Sequence, residues 1–217
     1  MIAGKDLMSK VNLVWATQDG EGLVAYMARV SNPANENNKA TAPKLLKYLA
    51  DHKHFSPFEM VNLCMEIKTT RDIARQILRH RSFSFQEFSQ RYAIASEFEK
   101  SEARLQDLKN RQNSLPVQDR ELQRFWEEQQ QYVLDAATIA YKTALDSGIA
   151  KEVARKVLPE GLTCSRMYMN GTLRSWLHYI AVRCDEATQL EHREVAEQCR
   201  DIVVDQYPSL KDIIYAV

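Results

Sequence analysis

Residues 61–70, VNLCMEIKTT, constrain the fold more than any other stretch of this chain. Apolar residues stand at every second position from 61 to 67, and polar or small residues lie between them. A period of two is typical of a β-strand with one buried face. The following residues 73–80, IARQILRH, have the spacing of a helix, and Thr70 or Asp72 is a suitable N-cap. The sequence therefore predicts a strand that runs directly into a helix.

The remaining pattern is mainly helical. A short strand is predicted at residues 11–16, VNLVWA. Helices are predicted at residues 20–30, 43–52, 122–136 with an end near Gly148, 151–158 with an end at Pro159, 173–183 and 185–207. The sequence has no βαβ alternation and no G-x-G-x-x-G fingerprint, which argues against a Rossmann site. We expect a helix-rich α/β (α+β) fold in one domain, residues 1–217, with a polar helical excursion at about 97–131.

Acidic and basic residues balance, 29 against 29, in a chain of 217 residues that is 45% hydrophobic. Such a chain can build a buried core, and it lacks the broad basic excess of proteins that coat nucleic acids or bind membrane surfaces. No apolar run approaches the ~20 residues of a membrane span, and the N-terminus does not resemble a signal peptide. The four cysteines are scattered without a C-x-x-C pair, which favours free thiols over disulfides or zinc. We therefore expect a cytoplasmic protein that binds no nucleic acid, membrane or metal ion.

Cationic residues are concentrated between residues 71 and 92, where five Arg stand against one Asp and one Glu, a local charge of +3. Within that segment, residues 79–91 read RHRSFSFQEFSQR. Arg dominates over Lys, and its planar guanidinium suits phosphates and carboxylates. The pattern indicates a site for phosphorylated ligands. Two alternatives remain open here: an arginine cluster that pairs with acidic side chains elsewhere, and an RNA-binding surface of interleaved Arg and Phe.

Helical spacing separates the directions of these cations. Successive residues on a helix rotate by about 100°, so Arg79 and Arg81 point apart if the helix continues through them. Gln76 shares a face with Arg79 and with His80, three and four residues away. The cluster therefore predicts either two ligands that meet at the helix end or a site built between subunits.

The arrangement Arg79-His80-Arg81, seven residues, then Ser89-x-Arg91 resembles the signature of the flavin-dependent thymidylate synthases. Other segments resemble that family in the same order along the chain: ARVS at 28–31, HFSPFE at 54–59, ARQ at 74–76, EVARKVLP at 152–159 and LRSWLHYIAVR at 173–183. The resemblance covers most of residues 25–205, and residues 97–131 match least. It implies an α/β fold with a small antiparallel sheet surrounded by helices, a homotetramer, and active sites shared between subunits.

The resemblance also implies roles for individual residues. Those that match dUMP-binding positions are Gln76, Ile77, Leu78, Arg79, Glu87, Phe88, Ser89, Gln90, Arg91, Arg155 and Arg183. Those that match FAD-binding positions are His54, Ser56, Arg79, His80, Arg81, Glu87, Thr172, Arg174 and His178. Ser89 and Arg91 correspond to residues near the phosphate of dUMP, and Arg183 corresponds to the catalytic arginine that faces the uracil ring. The family often has Asn at the position of Thr172, so Asn170 is an alternative for that flavin contact.

The reaction implied by the resemblance is reductive methylation of dUMP to dTMP. Methylenetetrahydrofolate supplies the carbon, and FAD reduced by NADPH supplies the hydride, so no enzyme nucleophile is needed. We expect no cysteine to be catalytic, although Cys184 adjoins Arg183, whose charge could lower the pKa of the thiol. Ser89 has no activating base nearby in sequence and is expected to donate hydrogen bonds. The competing hypotheses are a flavin- or nucleotide-binding protein without turnover and an RNA-binding module.

Overall fold

The computed structural model describes residues 9–215. Its strands are β1 (Lys10–Ala16), β2 (Asn62–Thr70), β3 (Ser84–Glu87), β4 (Arg104–Gln106), β5 (Ser114–Pro116) and β6 (Cys164–Thr172). Its α-helices are α1 (Gly20–Ala28), α2 (Ala42–Asp51), α3 (Arg71–Ile77), α4 (Arg120–Asp146), α5 (Lys151–Ala154), α6 (Leu173–Arg183), α7 (Leu190–Gln206) and α8 (Lys211–Ile214). Four strands form an antiparallel sheet in the order β1-β2-β6-β3, and β4 pairs with β5 as a hairpin. Within residues 9–215, no helix has the length and apolar character needed to cross a membrane.

The α+β fold class predicted from the sequence is confirmed. The predicted strands at 11–16 and 61–70 correspond to β1 and β2, and the predicted helix at 173–183 is α6. The sequence analysis did not predict β3 or β6. In β6, buried positions alternate with less buried ones from residue 165 to 171. The period-two pattern was therefore present, and Ser165 and Gly171 among the inward residues obscured it.

The described chain divides into two compact units, each built from separate stretches of sequence. The first unit contains Ser9, Lys68–Arg79 and Glu87–Met167. The second unit contains Lys10–Ile67, His80–Gln86 and the described residues from Tyr168 onward. The single-domain organisation of residues 1–217 stays a prediction, and its terminal residues lie outside the described range.

The core of the second unit is built around α6. Trp176 and Tyr179 on this helix are fully buried, and the Trp176 indole Nε1 donates to the carbonyl oxygen of Leu63 at 3.2 Å. The ring of Phe83 packs edge-on against Trp176, with centroids 4.8 Å apart. Gly171 is required beside it, because a Cβ at that position would collide with the Phe83 ring. One phenylalanine of the arginine-rich segment is therefore a core residue that anchors the segment to α6.

Helix α3 is shorter than the sequence predicted. Thr70, one of the two predicted candidates, occupies the N-cap position. Its hydroxyl donates to the Asp72 carboxylate at 2.5 Å and accepts no hydrogen bond from a backbone N–H group of the helix. The helix ends at Ile77, and Arg79 follows in a turn. The premise that the helix continues through residues 79–81 was therefore wrong, and a turn sets the directions of these cations.

The first unit contains the polar segment predicted as a helical excursion. Its early part is the β4–β5 hairpin, and the helix begins only at Arg120. The Asp119 side chain caps α4 by accepting hydrogen bonds from the backbone N–H groups of Glu121 and Leu122 at 2.8 and 3.2 Å. The helix ends before Gly148, which has a positive φ of 81° suited to glycine. The predicted helix end is thus confirmed, whereas the hairpin was not predicted.

Candidate active site

The second unit contains a pocket of about 720 Å³. Three residues predicted to bind flavin line it, namely Thr172, Arg174 and His178 on or beside α6. Apolar side chains from the surrounding elements complete the wall, among them Phe55, Leu177, Ile180 and Ile214. His54 and Ser56, also predicted to bind flavin, flank Phe55 in the sequence. The structure therefore places three of the predicted flavin residues of this unit around one cavity.

Glu59 organises the polar side of this pocket. Its carboxylate accepts a hydrogen bond from Arg174 Nη1 at 2.5 Å and another from the Thr172 hydroxyl at 2.7 Å. The hydrogen bond from Arg174, followed by that from Thr172, lowers the pKa of Glu59. Thr172 is also the N-cap of α6, since its Oγ1 accepts from the Ser175 backbone N–H at 3.2 Å. Glu59 thus fixes both Arg174 and the first turn of α6.

Sequence reasoning did not select Glu59 as a site residue, although it lies in the HFSPFE segment. Thr172 and Asn170, the two candidates for one flavin contact, differ in their hydrogen bonding. The Thr172 hydroxyl is engaged with Glu59, whereas Asn170 Oδ1 is buried and has no hydrogen-bond partner among the described residues. Asn170 therefore stays a candidate for this contact.

Arg183 and His80 form the second polar centre of this unit. The Arg183 Nε–H donates to His80 Nε2 at 2.8 Å. Burial, followed by the charges of Arg183 and His178, lowers the pKa of His80 to about 4. The imidazole is therefore neutral at neutral pH and can accept this hydrogen bond. Arg81, the third member of the motif, is exposed.

In the first unit, Glu87 is held at the end of β3. Its Oε1 accepts from the Ser165 hydroxyl at 2.7 Å and lies 3.5 Å from Arg71 Nη1. The backbone N–H of Phe88 donates to the carbonyl oxygen of Arg166 at 2.8 Å. These contacts fix the chain just before Ser89.

The phosphate-binding candidates lie in the loop that follows. Arg91 Nε is 3.3 Å from a carboxylate oxygen of Glu152, and both side chains are more than half exposed. Arg155 follows three residues after Glu152, in the 3-10 turn after α5. The EVARKVLP segment and the end of the arginine-rich motif are therefore neighbours. Gln90 is buried, and its Nε2 has no hydrogen-bond partner within residues 9–215.

The remaining predicted nucleotide residues lie at the end of α3. Ile77 is fully buried, whereas Arg79 is exposed. Gln76 and Leu78 are half-buried. The structure thus divides the sequence motif: residues up to Arg79 and from Glu87 onward belong to the first unit, and His80 and Arg81 belong to the second.

All four cysteines are free thiols, as the sequence predicted. Burial raises the pKa of Cys184, and Arg183 is not among the charges that act on it. Burial, followed by the charges of Glu99 and Glu97, raises the pKa of Cys164 to about 12. Thiols with raised pKa values are poor nucleophiles, which agrees with the prediction that no cysteine is catalytic.

Comparison with known proteins decides the family. The family model described as thymidylate synthase complementing protein, Thy1, matches residues 12–209. A flavin-dependent thymidylate synthase of Synechocystis sp. is 53% identical over 190 residues, which cover 88% of this chain and 87% of the relative. The chain belongs to the Thy1 family of flavin-dependent thymidylate synthases. A probable flavin-dependent thymidylate synthase of Paramecium bursaria Chlorella virus 1 is 47% identical over 199 residues, 91% of this chain and 92% of the relative.

A solved structure supports the fold of this Thy1 family member. The UMP/dUMP methylase PolB from Streptomyces cacaoi, bound with 5-Br dUMP, superimposes with a TM-score of 0.86 at 27% identity. The match covers 96% of this chain and 95% of that one. The predicted family and enzyme class, a flavin-dependent thymidylate synthase of dTMP biosynthesis, are thus confirmed. The roles of individual residues stay predictions.

Proposed function

We propose that this chain methylates dUMP reductively to dTMP, taking the carbon from methylenetetrahydrofolate and using FAD that NADPH reduces. The observation that carries the proposal is the 53% identity to a flavin-dependent thymidylate synthase across nearly the whole of both chains. The bound 5-Br dUMP of the PolB structure supports dUMP as the substrate. The pocket of the second unit supports a flavin site, and the arginines of the first unit support binding of the nucleotide phosphate.

The residues of the second unit fit a flavin. Its pocket of about 720 Å³ has the size of a cofactor site, for which roughly 300–1,000 Å³ is usual. The wall joins apolar side chains such as Phe55 and Leu177 with the cationic Arg174, a mixture that suits a flat ring system attached to phosphates. His54, Ser56, Thr172 and His178 would complete the FAD contacts, and His80 and Arg81 extend them. Bound FAD supplies the hydride chemistry.

The first unit fits the phosphate of dUMP. Arg91 and Arg155 present guanidinium groups beside a loop whose hydroxyl, Ser89, can donate a further hydrogen bond. The only acidic partner found for Arg91 within residues 9–215 is Glu152, in an exposed ion pair that a phosphate can displace. Arg79 and Glu87 would contact both dUMP and FAD. This unit therefore binds and orients the nucleotide.

Arg183 is the proposed catalytic residue. A guanidinium beside the uracil ring stabilises the negative charge that develops on the ring when C5 acts as a nucleophile. Its Nε is held by His80, so its two terminal amino groups are the ones that would face the ring. Ser89 has the role of a hydrogen-bond donor, and the cysteines have no covalent role.

We further propose a cytoplasmic homotetramer whose active sites are shared between subunits. Helix α4 supports an oligomer, because it exposes several large apolar side chains, namely Phe125, Trp126, Tyr132, Val133 and Ile139. Patches of this kind usually mark protein interfaces. The four free thiols support the compartment, since thiols persist where the environment is reducing.

The proposed reaction is tested with purified protein. We expect dTMP to form from dUMP only when methylenetetrahydrofolate and NADPH are both present, with tetrahydrofolate as the second product. The protein should carry the visible absorption bands of an oxidised flavin. Bound flavin without dTMP under these conditions would instead indicate a binding protein without turnover.

The shared site is tested by mixing subunits. Arg79→Ala and Arg183→Ala variants, each inactive alone, should regain part of the activity when mixed if the two residues of one site come from different chains. Failure of this rescue after subunit exchange has been demonstrated would contradict the sharing. Light scattering that gave the 25.1 kDa mass of one chain would contradict the tetramer.

A further inference from the structure

Three polar rings lie against each other in the second unit. The centroids of His80 and Tyr179 are 4.9 Å apart, those of Tyr179 and His192 are 5.8 Å apart, and those of His80 and His192 are 6.3 Å apart. Tyr179 and His192 are fully buried. Neither residue has a role in the proposed reaction, and burying a hydroxyl and an imidazole costs free energy unless they are hydrogen-bonded.

The rings are joined to Arg183 by hydrogen bonds and packing. The Tyr179 hydroxyl lies 3.2 Å from His192 Nε2, and the rings of Tyr179 and His80 pack edge to face at an interplanar angle of 81°. His80 Nε2 in turn accepts from Arg183 Nε at 2.8 Å. Tyr179 and Arg183 are four residues apart on α6 and therefore lie on one face of the helix. His80 contacts both of them on that face.

This arrangement requires a neutral His80 of one tautomer. An arginine side chain only donates hydrogen bonds, so Nε2 must be the unprotonated nitrogen and the proton must reside on Nδ1. Its surroundings enforce the neutral form: burial first, then the charges of Arg183 and His178, lower the pKa of His80 to about 4. Burial, followed by the charges of Arg183 and His80, lowers the pKa of His192 to about 3.

The titratable groups that face this cluster come from two helices. Helix α6 contributes His178, Tyr179, Arg183 and its C-cap residue Cys184, and α7 contributes His192 and Cys199. Burial raises the pKa of the Cys199 thiol above its usual range, and burial likewise raises that of the Tyr179 phenol. Arg183 is therefore a cation held against an imidazole, that of His80, which is neutral at neutral pH.

We propose that Tyr179 and His192 are positioning residues that hold His80 against Arg183 and so fix the orientation of the catalytic guanidinium. A guanidinium held through Nε presents its two terminal amino groups on the opposite side, in the plane needed to meet two acceptors of a flat ring. The inference rests on the proposed function insofar as Arg183 faces the uracil. The contact between His80 and Arg183 can be examined independently of turnover.

Kinetics of Tyr179→Phe test the positioning role, because this change removes the hydroxyl and keeps the ring. We expect kcat to fall by about ten- to a hundredfold, the usual scale for a displaced catalytic group, with flavin content and KM for dUMP near wild type. The matched control is Tyr141→Phe. Tyr141 is also buried, at 4% exposure, and its hydroxyl has no hydrogen-bond partner among the described residues, so kcat should not change.

A double-variant comparison separates positioning from general stability. In an Arg183→Lys variant, Tyr179, His192 and His80 have no guanidinium to orient. Adding Tyr179→Phe to that variant should therefore lower kcat no further. If the two changes multiply, or if Tyr179→Phe affects kcat no more than Tyr141→Phe does, the positioning role is wrong.

Nuclear magnetic resonance of ¹³C-labelled histidines tests the same contact without turnover, and the chain has only five histidines. His80 should remain neutral in wild type between pH 8 and pH 5.5, since its pKa is lowered to about 4. Arg183→Met removes the donor and the charge and should raise that pKa, whereas Arg174→Met, the control on the same helix, should not. An unchanged His80 titration in Arg183→Met overturns the inference even if dTMP is formed. Absence of dTMP with the expected titration shift would overturn only the proposed function.

Discussion

The two units of the chain prepare their predicted ligand sites to different degrees. In the second unit the polar groups are already bonded to one another: Arg174 to Glu59, and Arg183 to His80. In the first unit the cationic groups are accessible, because Arg79 is exposed and the ion pair of Arg91 with Glu152 is itself exposed. The predicted site residues of the second unit are therefore pre-organised by the fold, whereas those of the first unit depend on a ligand's own charge for their order.

The largest effect is expected at Arg183. We predict that Arg183→Ala lowers the rate of dTMP formation by about 10²–10³-fold, the cost of losing one group that stabilises developing charge. Flavin content should stay near wild type, because the pocket at Arg174 and Glu59 is separately bonded. The measurement is steady-state turnover together with the flavin-to-protein ratio. Retained turnover would remove Arg183 from the catalytic role.

Removing the exposed arginines of the first unit should change the affinity for dUMP alone. Arg91→Ala and Arg155→Ala should each weaken dUMP binding by ~1.5–3 kcal/mol, the size of a hydrogen bond to a charged group. Binding of deoxyuridine, which has no phosphate, should not change, and calorimetry can measure both ligands. Arg124→Ala is the control, since this arginine of the same unit pairs on α4 with Glu128. A loss of FAD in place of dUMP would reverse the assignment of the two units.

Acid should destabilise the second unit through its neutral histidines. The folded-state pKa values of His80 and His192 are about 4 and about 3, below the ordinary 6.5. At a pH between the folded-state pKa of each ring and 6.5, the unfolded chain therefore binds more protons than the folded chain. The free energy of unfolding thus falls as pH decreases below 6.5, by at most about 1.4 kcal/mol per pH unit for each ring. Above that pH both rings are neutral in both states and contribute no slope. Urea unfolding at pH 8, 7, 6 and 5 measures this, and equal stability at pH 7 and pH 5 would contradict it.

A smaller effect, on the affinity for FAD, is expected when the ion pair between Glu59 and Arg174 in the second unit is weakened. Glu59→Gln keeps an acceptor for Thr172 but removes the negative charge that holds Arg174. We predict FAD binding weaker by about 1 kcal/mol, as for a partly exposed ion pair, with dUMP affinity unchanged. Flavin fluorescence on dilution measures the affinity. Tighter FAD binding would show instead that Glu59 competes with the cofactor for Arg174.

The smallest effect is expected at Cys184. Because its thiol has a raised pKa and lies at the C-cap of α6, Cys184→Ala should keep most of the turnover. Mass spectrometry of the wild-type protein with dUMP should find no covalent adduct on any cysteine. An adduct, or loss of dTMP formation in a folded, flavin-loaded Cys184→Ala variant, would mean that a thiol takes part in the reaction.

Local sequence patterns predicted the parts of the fold that depend on local interactions. The period-two pattern located β2, the apolar stripe and Gly148 located α4, and LRSWLHYIAVR coincided with α6. Helix α3 was predicted too long, because residues 78–80 are compatible with a helix locally but form a turn here. The β4–β5 hairpin was missed because its strands are only three residues long and polar.

The sequence by itself determined the family, since the Arg79-to-Arg91 signature and its companion segments are recognisable without coordinates. It also predicted a site for phosphorylated ligands, because the chemistry of a guanidinium does not depend on the fold. Only the tertiary structure decided which polar groups meet. Glu59 and Arg174 are 115 residues apart in the chain, and His80 and Arg183 are 103 apart. Contacts over such separations arise from packing of distant elements, and packing also buries His192 and makes it a neutral core residue, which no local pattern specifies.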